Sequence, residues 1–267
     1  MPISQVTSAS IAHRLHTRFM FNGPNAHIMT YPVGAKADML NVLLVLSERF
    51  SLAPEGQRKP VAAGTKGNKR EAVAAFSDWH PTVRAIVDLL PDDDDGAVDE
   101  VRVGNIQKWD IFDMFEHPAP YYARGRVCLA GDAAHAAEPH LGSGAGFGVE
   151  DALVLAEVLQ SVDKKVREWT AVFDRVSSDK GGRKGSQSRA DLYTAALRAY
   201  NETRYERAKW LPGASRDAGA LFEWEHDAAR DPERFGEEIS RRFHQIWHYD
   251  VNEMIQGAHA LLEQNIN

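Results

Sequence analysis

Apolar residues fall into three differently patterned stretches along the chain. From Phe19 to Leu46, in FMFNGPNAHIMTYPVGAKADMLNVLLVL, apolar runs are interrupted by a Gly/Pro turn and a polar GAKAD connection. The pattern predicts two strands in antiparallel pairing. His27, Met29 and Tyr31 alternate there and would share one face of a strand. SLAPEGQRKPVAAGTKGNKR, from Ser51, reads as a polar linker. A helix is predicted from about Glu71, in EAVAAF and then PTVRAIVDLL, divided at His80–Pro81 because proline disfavours helical backbone in the residue before it. Asp92 to Asp95, between Pro91 and Gly96, read as a solvated turn.

The second stretch, GRVCLAGDAAHAAEPHLGSGAGFGVEDALVLAEVL from Gly125 to Leu159, changes pattern twice. RVCLA has the β-branched and apolar character of a short buried strand, which puts Gly131 and Asp132 at its carboxyl end, where open α/β sheets bind ligands. Gly142, Gly144, Gly146 and Gly148 alternate, and Val149, Ala152, Leu153, Ala156 and Leu159 then recur at helical spacing. The glycines therefore sit at a helix N-terminus, where backbone without side chains can approach a planar or phosphorylated ligand and free amides favour negative charge. The register is not that of the dinucleotide fingerprint G-x-G-x-x-G. Asp132 suits accepting hydrogen bonds from ligand hydroxyls, or capping the turn DAAH. His135 fits packing or a local hydrogen bond better than catalysis.

In the third stretch SSDKGGRKGSQSR reads as a flexible insertion, followed by helices over Asp191–Lys209 and Pro232–Leu262. His244 and His248 share a helical face, but HQIWH has glutamine where a zinc hydrolase carries its glutamate, and no third ligand is evident. No metal site is expected. No internal repeat divides the chain.

Composition narrows the function. A 43% hydrophobic content in 267 residues suffices for a buried core. The net charge of −7 argues against a general nucleic-acid binder. Cys128 is the only cysteine, so a disulfide framework and a thiolate zinc cage are excluded and a reducing compartment is the simplest context. The start MPISQVTSAS lacks a long apolar region, no run approaches the roughly 18 apolar residues of a membrane helix, and cytoplasm is the default location.

Strand, Gly-Asp, Pro139, glycines and helix in this order closely resemble the second flavin-binding motif of the FAD-dependent aromatic hydroxylases, the single-component flavoprotein monooxygenases, and most of all their salicylate hydroxylase-like branch. GPNAHIMTYPV with LNVLLV is similar to that family's substrate-covering sheet. FSDWHPTVRAIVDLL and KWDIFDMFEHPAPYYARGRV are similar to the segments leading into the motif, and ALRAYNETRYERAKWLPGASRDAG to the helix that follows. The resemblance spans Asn22 to Gly219.

The resemblance implies an α/β protein, α+β within this chain: part of an FAD-binding Rossmann-like domain with an antiparallel substrate-binding sheet and carboxyl-terminal helices. Residues 1–117 would be the substrate sheet and helices, 118–175 the carboxyl-terminal part of the FAD-binding domain, and 176–267 a helical region. Gly131, Asp132, Gly142, Gly144, Ala145 and Gly146 would contact FAD, Asp132 at the ribitol and phosphate region and the amides of 144–146 at the pyrimidine end of the flavin. Pro139 would flank the flavin at the substrate pocket. Glu138 departs from the usual small or apolar neighbour there. The implied reaction is hydroxylation of a small aromatic substrate such as salicylate with O2 and NADH or NADPH, with no nucleic acid or membrane as partner. His27 would orient or deprotonate a phenol; a structural histidine is the commoner reading of the residue alone. Relatives begin with a G-x-G-x-x-G unit that does not precede Met1 here. Met1–Asn267 alone is therefore expected neither to retain FAD nor to oxidise NAD(P)H with phenols. The alternative is a noncatalytic remnant acting as a binding or interaction module.

Overall fold

The first apolar stretch folds as three strands rather than two. In the computed structural model, which describes residues 16–47, 65–91, 106–176 and 188–266, β1 (Phe19–Gly23), β2 (Ala26–Val33) and β3 (Met39–Leu46) form an antiparallel sheet in that order. The extra reversal comes from Pro24–Asn25: proline has no amide to give a ladder, and Asn25 takes a φ of 57°, which the asparagine side chain tolerates. Gly23 pairs with Ala26 across this turn, and His27 pairs with Asn22 and Val45.

Backbone contacts divide the chain into two units, the first comprising Met1–Ile111 with Ala220–Phe235 and the second Phe112–Gly219 with Gly236–Asn267. In the first, alternation along β2 turns Ala26 and Ile28 onto two short helices, α1 (Lys69–Ala75) and α2 (Pro81–Asp88). Both residues are buried with Ala72, Phe76, Val83 and Val87. The helix break falls where proline placed it: Pro81 opens α2 and the His80 ring nitrogen Nδ1 accepts the Thr82 amide at 3.2 Å. The expected linker is structured at its end. Thr65–Lys66 (β4) pair with Gln107–Lys108 (β5), and Asn68 caps α1 by accepting the Arg70 amide at 2.7 Å. Residues 51–64, the run Asp92–Asp95 and most of the glycine-rich insertion, 177–187, lie outside the described residues.

Gly23 meets the second layer closely: a Cβ there would lie 2.5 Å from the Trp79 ring. Trp79 is itself held edge-on to Phe76. Gly23→Ala should therefore cost the first unit at least ~1 kcal/mol through overpacking, read as a lower denaturant midpoint at unchanged slope.

The second unit contains a short hairpin, β6 (Ala123–Arg124) with β7 (Val127–Cys128), then α3 (Asp132–His135) and a 3₁₀ turn (Pro139–Leu141). Four helices follow: α4 (Gly144–Val176), α5 (Arg189–Phe222), α6 (Pro232–Trp247) and α7 (Val251–Ile266). RVCLA is not the buried strand expected. Only Val127–Cys128 pair, and the Val127 side chain is 70% exposed, because among the described residues the hairpin is the only strand partner. Val154, Val158 and Val162 on α4 and Met254, Ala258 and Leu262 on α7 are buried stripes of two helices that pack together.

Two helix expectations need correction. The helix expected over Asp191–Lys209 continues through Pro212 to Phe222. Leu211, Ala214, Ala218, Leu221 and Phe222 are buried on both sides of the proline, and this burial offsets the lost backbone bond. The helix expected over Pro232–Leu262 breaks after Trp247, because Asp250 accepts the amides of Asn252 and Glu253 at 2.8 and 3.0 Å and so starts α7 afresh.

Candidate functional site

Gly131 takes φ 58° and ψ −141°, a combination that essentially only glycine adopts, and this reverses the chain between β7 and α3. Asp132, the first residue of α3, is exposed, whereas His135 at its end is 1% exposed. The segment before the turn is anchored to α5. The Tyr200 hydroxyl donates to the Leu129 carbonyl at 2.7 Å, and Asn201 Oδ1 accepts the Tyr122 and Ala123 amides at 2.6 and 3.2 Å. Burial pushes the Tyr200 hydroxyl well above the usual phenol range, so it remains the donor this contact needs.

The next turn is shaped by Pro139 and Gly142. Pro139 is exposed at the start of the 3₁₀ turn, and Gly142 closes it in left-handed backbone, φ 61°, with its amide donating to the Pro139 carbonyl at 2.9 Å. The Glu138 carbonyl accepts the Ser215 hydroxyl of α5 at 2.5 Å, and the Glu138 carboxylate lies 3.1 Å from His140 Nε2. The unusual acid of the motif is thus paired within its own turn. A Cβ on Gly219 would come within 2.7 Å of the His140 ring, so α5 can pass only as glycine there.

α4 begins at Gly144 with its first turn open. Ala145 and Gly146 are exposed, and no heavy atom lies within 4 Å of where a Cβ would stand on Gly144 or Gly146. The Ser143 hydroxyl, which could have capped the helix, donates instead to the Leu141 carbonyl at 2.9 Å. The Gly144, Ala145 and Gly146 amides have no side-chain acceptor among the described residues, and helix geometry gives them no internal one. Further along the helix, Gly148 faces the Gly-Asp turn, with its Cβ position at an ordinary contact distance of 3.6 Å from Gly131 Cα.

Beneath these two turns lies a buried charge network that the residue pattern did not disclose. Asp151 Oδ2 accepts the Gly131 amide at 2.9 Å and the His135 ring at 2.7 Å, while Oδ1 accepts Arg204 Nε at 2.8 Å. Asp151 and Arg204 are both fully buried. Arg204 also donates to Glu150 at 2.5 Å and to the Phe147 carbonyl at 3.2 Å, and Glu150 in turn pairs with Arg207 at 3.0 Å. Burial alone would raise the Asp151 carboxyl, but the bonds from His135, Arg204 and the Gly131 amide outweigh it and hold the group below the usual carboxylate range. The sequence offers only acids in the first turns of α4 and arginines on the following helix, which does not say which of them pair.

Gly131, Asp132, Pro139, Gly142, Gly144, Ala145 and Gly146 thus occupy consecutive turns of the second unit, whereas His27 belongs to the first. His27 is 2% exposed, with Nδ1 3.3 Å from Glu223 Oε1 and its ring edge-on to Phe222. A groove of about 380 Å³ between α1 and α2, lined by Phe76, Ser77, Arg84 and Asp88, contains none of these residues. His244 and His248 stack ring on ring at 4.3 Å, and no group of three or more metal-capable side chains occurs among the described residues. No helix among them is long and apolar enough to cross a membrane.

Residues 81–169 match the family model described as FAD binding domain. Among known proteins, "FAD-dependent monooxygenase orf3" of Aspergillus niger is 38% identical over the whole chain, which covers 53% of that protein. "FAD-dependent monooxygenase pigN" of Monascus ruber is 36% identical over 96% of the chain and 51% of its own length. Among solved structures, a salicylate hydroxylase substrate complex superposes with a TM-score of 0.71 at 26% identity, over 96% of this chain and 54% of that one. The similarity extends past Gly219 into the last helices, and the chain spans about half the length of the curated relatives it matches. By sequence and by fold the chain is similar to FAD-dependent monooxygenases, and within it residues 81–169 match an FAD binding domain.

Proposed function

We propose that this chain supplies the flavin-ring and ribityl side of the cofactor site, together with a substrate sheet, in a monooxygenase that hydroxylates a phenolic or other small aromatic substrate such as salicylate with O2 and NADH or NADPH. The observation that carries the reading is the glycine pair at the start of α4. Gly144 and Gly146 have neither positive φ nor a neighbour within 4 Å, so the chain's own packing does not ask for glycine, which weakens a helix by about 1 kcal/mol relative to alanine. A flat ligand lying against the backbone does ask for it. The uncapped amides of 144–146 favour a ligand edge that becomes negative, as the pyrimidine end of a reduced flavin does.

In this reading Asp132 accepts hydroxyl hydrogens of the ribitol chain, Gly131 and Gly142 set the two turns, and Pro139 forms the substrate-side wall. His27, with a carboxylate 3.3 Å away, is equipped to hold or move a proton at a phenolic oxygen. FAD, when bound, carries electrons from the nicotinamide to O2 and delivers one oxygen atom to the ring. The division into a substrate sheet over 1–117, a cofactor part over 118–175 and helices over 176–267 is proposed on the same basis.

Equilibrium titration of FAD, followed by flavin fluorescence, tests the site in Met1–Asn267. Binding that saturates at equilibrium but is too weak to survive removal of unbound FAD is expected, and Gly146→Ala should weaken it further while raising thermal stability by about 0.4–1 kcal/mol. Absence of saturable binding, or a Gly146→Ala variant that binds as well as the parent, would remove the glycine turn from the cofactor site. Phenol-stimulated NAD(P)H oxidation by Met1–Asn267 is expected to be absent, and coupled oxidation would show that this chain is active by itself.

A further inference from the structure

The two turns assigned to the cofactor lie on different elements, yet one buried carboxylate touches the first directly and reaches the second through Arg204. Asp151 stands in the second turn of α4, two residues past Val149, whose side chain is 68% exposed, while its own side chain is fully buried. It therefore points away from the open side, back beneath the Gly-Asp turn. One oxygen takes the Gly131 amide and the His135 ring, which are the two ends of the turn that carries Asp132. The other takes Arg204, whose Nη2 reaches the Phe147 carbonyl at the start of α4. Arg204 is held in turn by Glu150, and Glu150 by Arg207, whose guanidinium donates to the Gln245 carbonyl at 2.8 Å and lies 3.8 Å from the centre of the Tyr249 ring. Every member is fixed by at least two partners.

We infer that Asp151 is a positioning residue that locks the Gly131–His135 turn to the first turn of α4, so that the Asp132 carboxylate and the amides of Gly144–Gly146 are presented to one ligand as a single preorganised cradle. The inference rests on the flavin reading for the identity of the ligand, but the coupling of the two turns is a property of the chain itself. A carboxylate suits this role where an amide would not. It accepts from three donors at once and neutralises Arg204, whereas asparagine offers one accepting oxygen and no charge. Displacing either turn by a fraction of an ångström separates contacts that must be made together, which is how a group that never touches a ligand changes its binding.

Asp151→Asn keeps the shape and removes the charge and one acceptor. Hydrogen exchange by mass spectrometry should then quicken together in peptides covering 131–136 and 144–148, with little change in the α7 stripe around Ala258. Affinity for FAD should fall about tenfold or more in the titration above. If Asp151→Asn does not fold, His135→Phe removes one donor while leaving the Asp151–Arg204 pair intact, and should loosen the same two peptides to a smaller degree. His135→Gln, which keeps an N–H donor, should restore them. Exchange that rises evenly through the second unit, or in one turn without the other, overturns the inference. So does unchanged FAD affinity in a folded Asp151→Asn variant. If the parent chain shows no FAD binding, the flavin reading fails, while the paired exchange response still decides whether Asp151 couples the turns.

Discussion

Replacing Arg204 by methionine is expected to destabilise the second unit by about 3–5 kcal/mol, the largest effect of any single change considered for this chain. Arg204 is fully buried and bonds Asp151, Glu150 and the Phe147 carbonyl. Methionine fills much of the volume but leaves Asp151 as a buried carboxylate without its counter-charge, and that uncompensated charge is the source of the penalty. Chemical denaturation of the parent and the Arg204→Met variant at neutral pH measures it. The pH dependence follows from Asp151, whose carboxyl is held below its ordinary value in the folded chain. A group with a depressed folded value contributes stability in full above its unfolded value, about 3.9, and loses it as the pH falls through the folded one. The parent should therefore lose this contribution only in that acid range. In Arg204→Met, where the depressing partner is gone, the loss should begin at higher pH. A variant as stable as the parent at neutral pH would mean that the network contributes specificity without stability.

Asp132→Ala should cost about 1.5–3 kcal/mol of FAD binding, the range of a charge-assisted hydrogen bond to a ligand hydroxyl. Stability should barely move, because Asp132 is exposed and surface changes of this kind stay within about 0.5 kcal/mol. This separates Asp132 from Arg204: one change acts on the ligand and spares the fold, the other acts on the fold. Titration and denaturation of the same preparation give both quantities. Unchanged flavin affinity would take Asp132 out of the site, and a large drop in stability would assign it to capping α3 instead.

The glycine turn lies between these extremes. Gly131 is required by its own backbone, since φ 58° with ψ −141° strains any residue with a Cβ. Gly219 is required by a neighbour, the His140 ring. Gly144 and Gly146 are required by neither, which is why alanine at 146 should stabilise the chain while harming the site.

How much of this was legible before the fold was known depends on whether a feature is local. The helix after the glycines, the break at His80–Pro81 and the positions of Gly131, Asp132 and Gly142 on turns follow from periodicity and from the backbone limits of proline and glycine, and these act within a few residues. The residues that carry the motif were close together in the chain, so they also carried the resemblance to FAD-dependent monooxygenases. The helix that runs on through Pro212 and the break before Asp250 were not legible in the same way. Each depends on a competition between a local preference and burial or capping by something further along: buried side chains on both sides of Pro212, and Asp250 in place of one more helical turn. The Asp151–Arg204 pair, separated by 53 residues, is the clearest case. Nothing in the spacing of acids on an amphipathic helix says which of Glu150 and Asp151 turns inward. Sequence by itself determined where the exposed turns lie, because they are written in glycine and proline. Tertiary structure alone decided what holds that backbone in place, because a buried charge is stable only where distant segments bring it a counter-charge and donors for its oxygens.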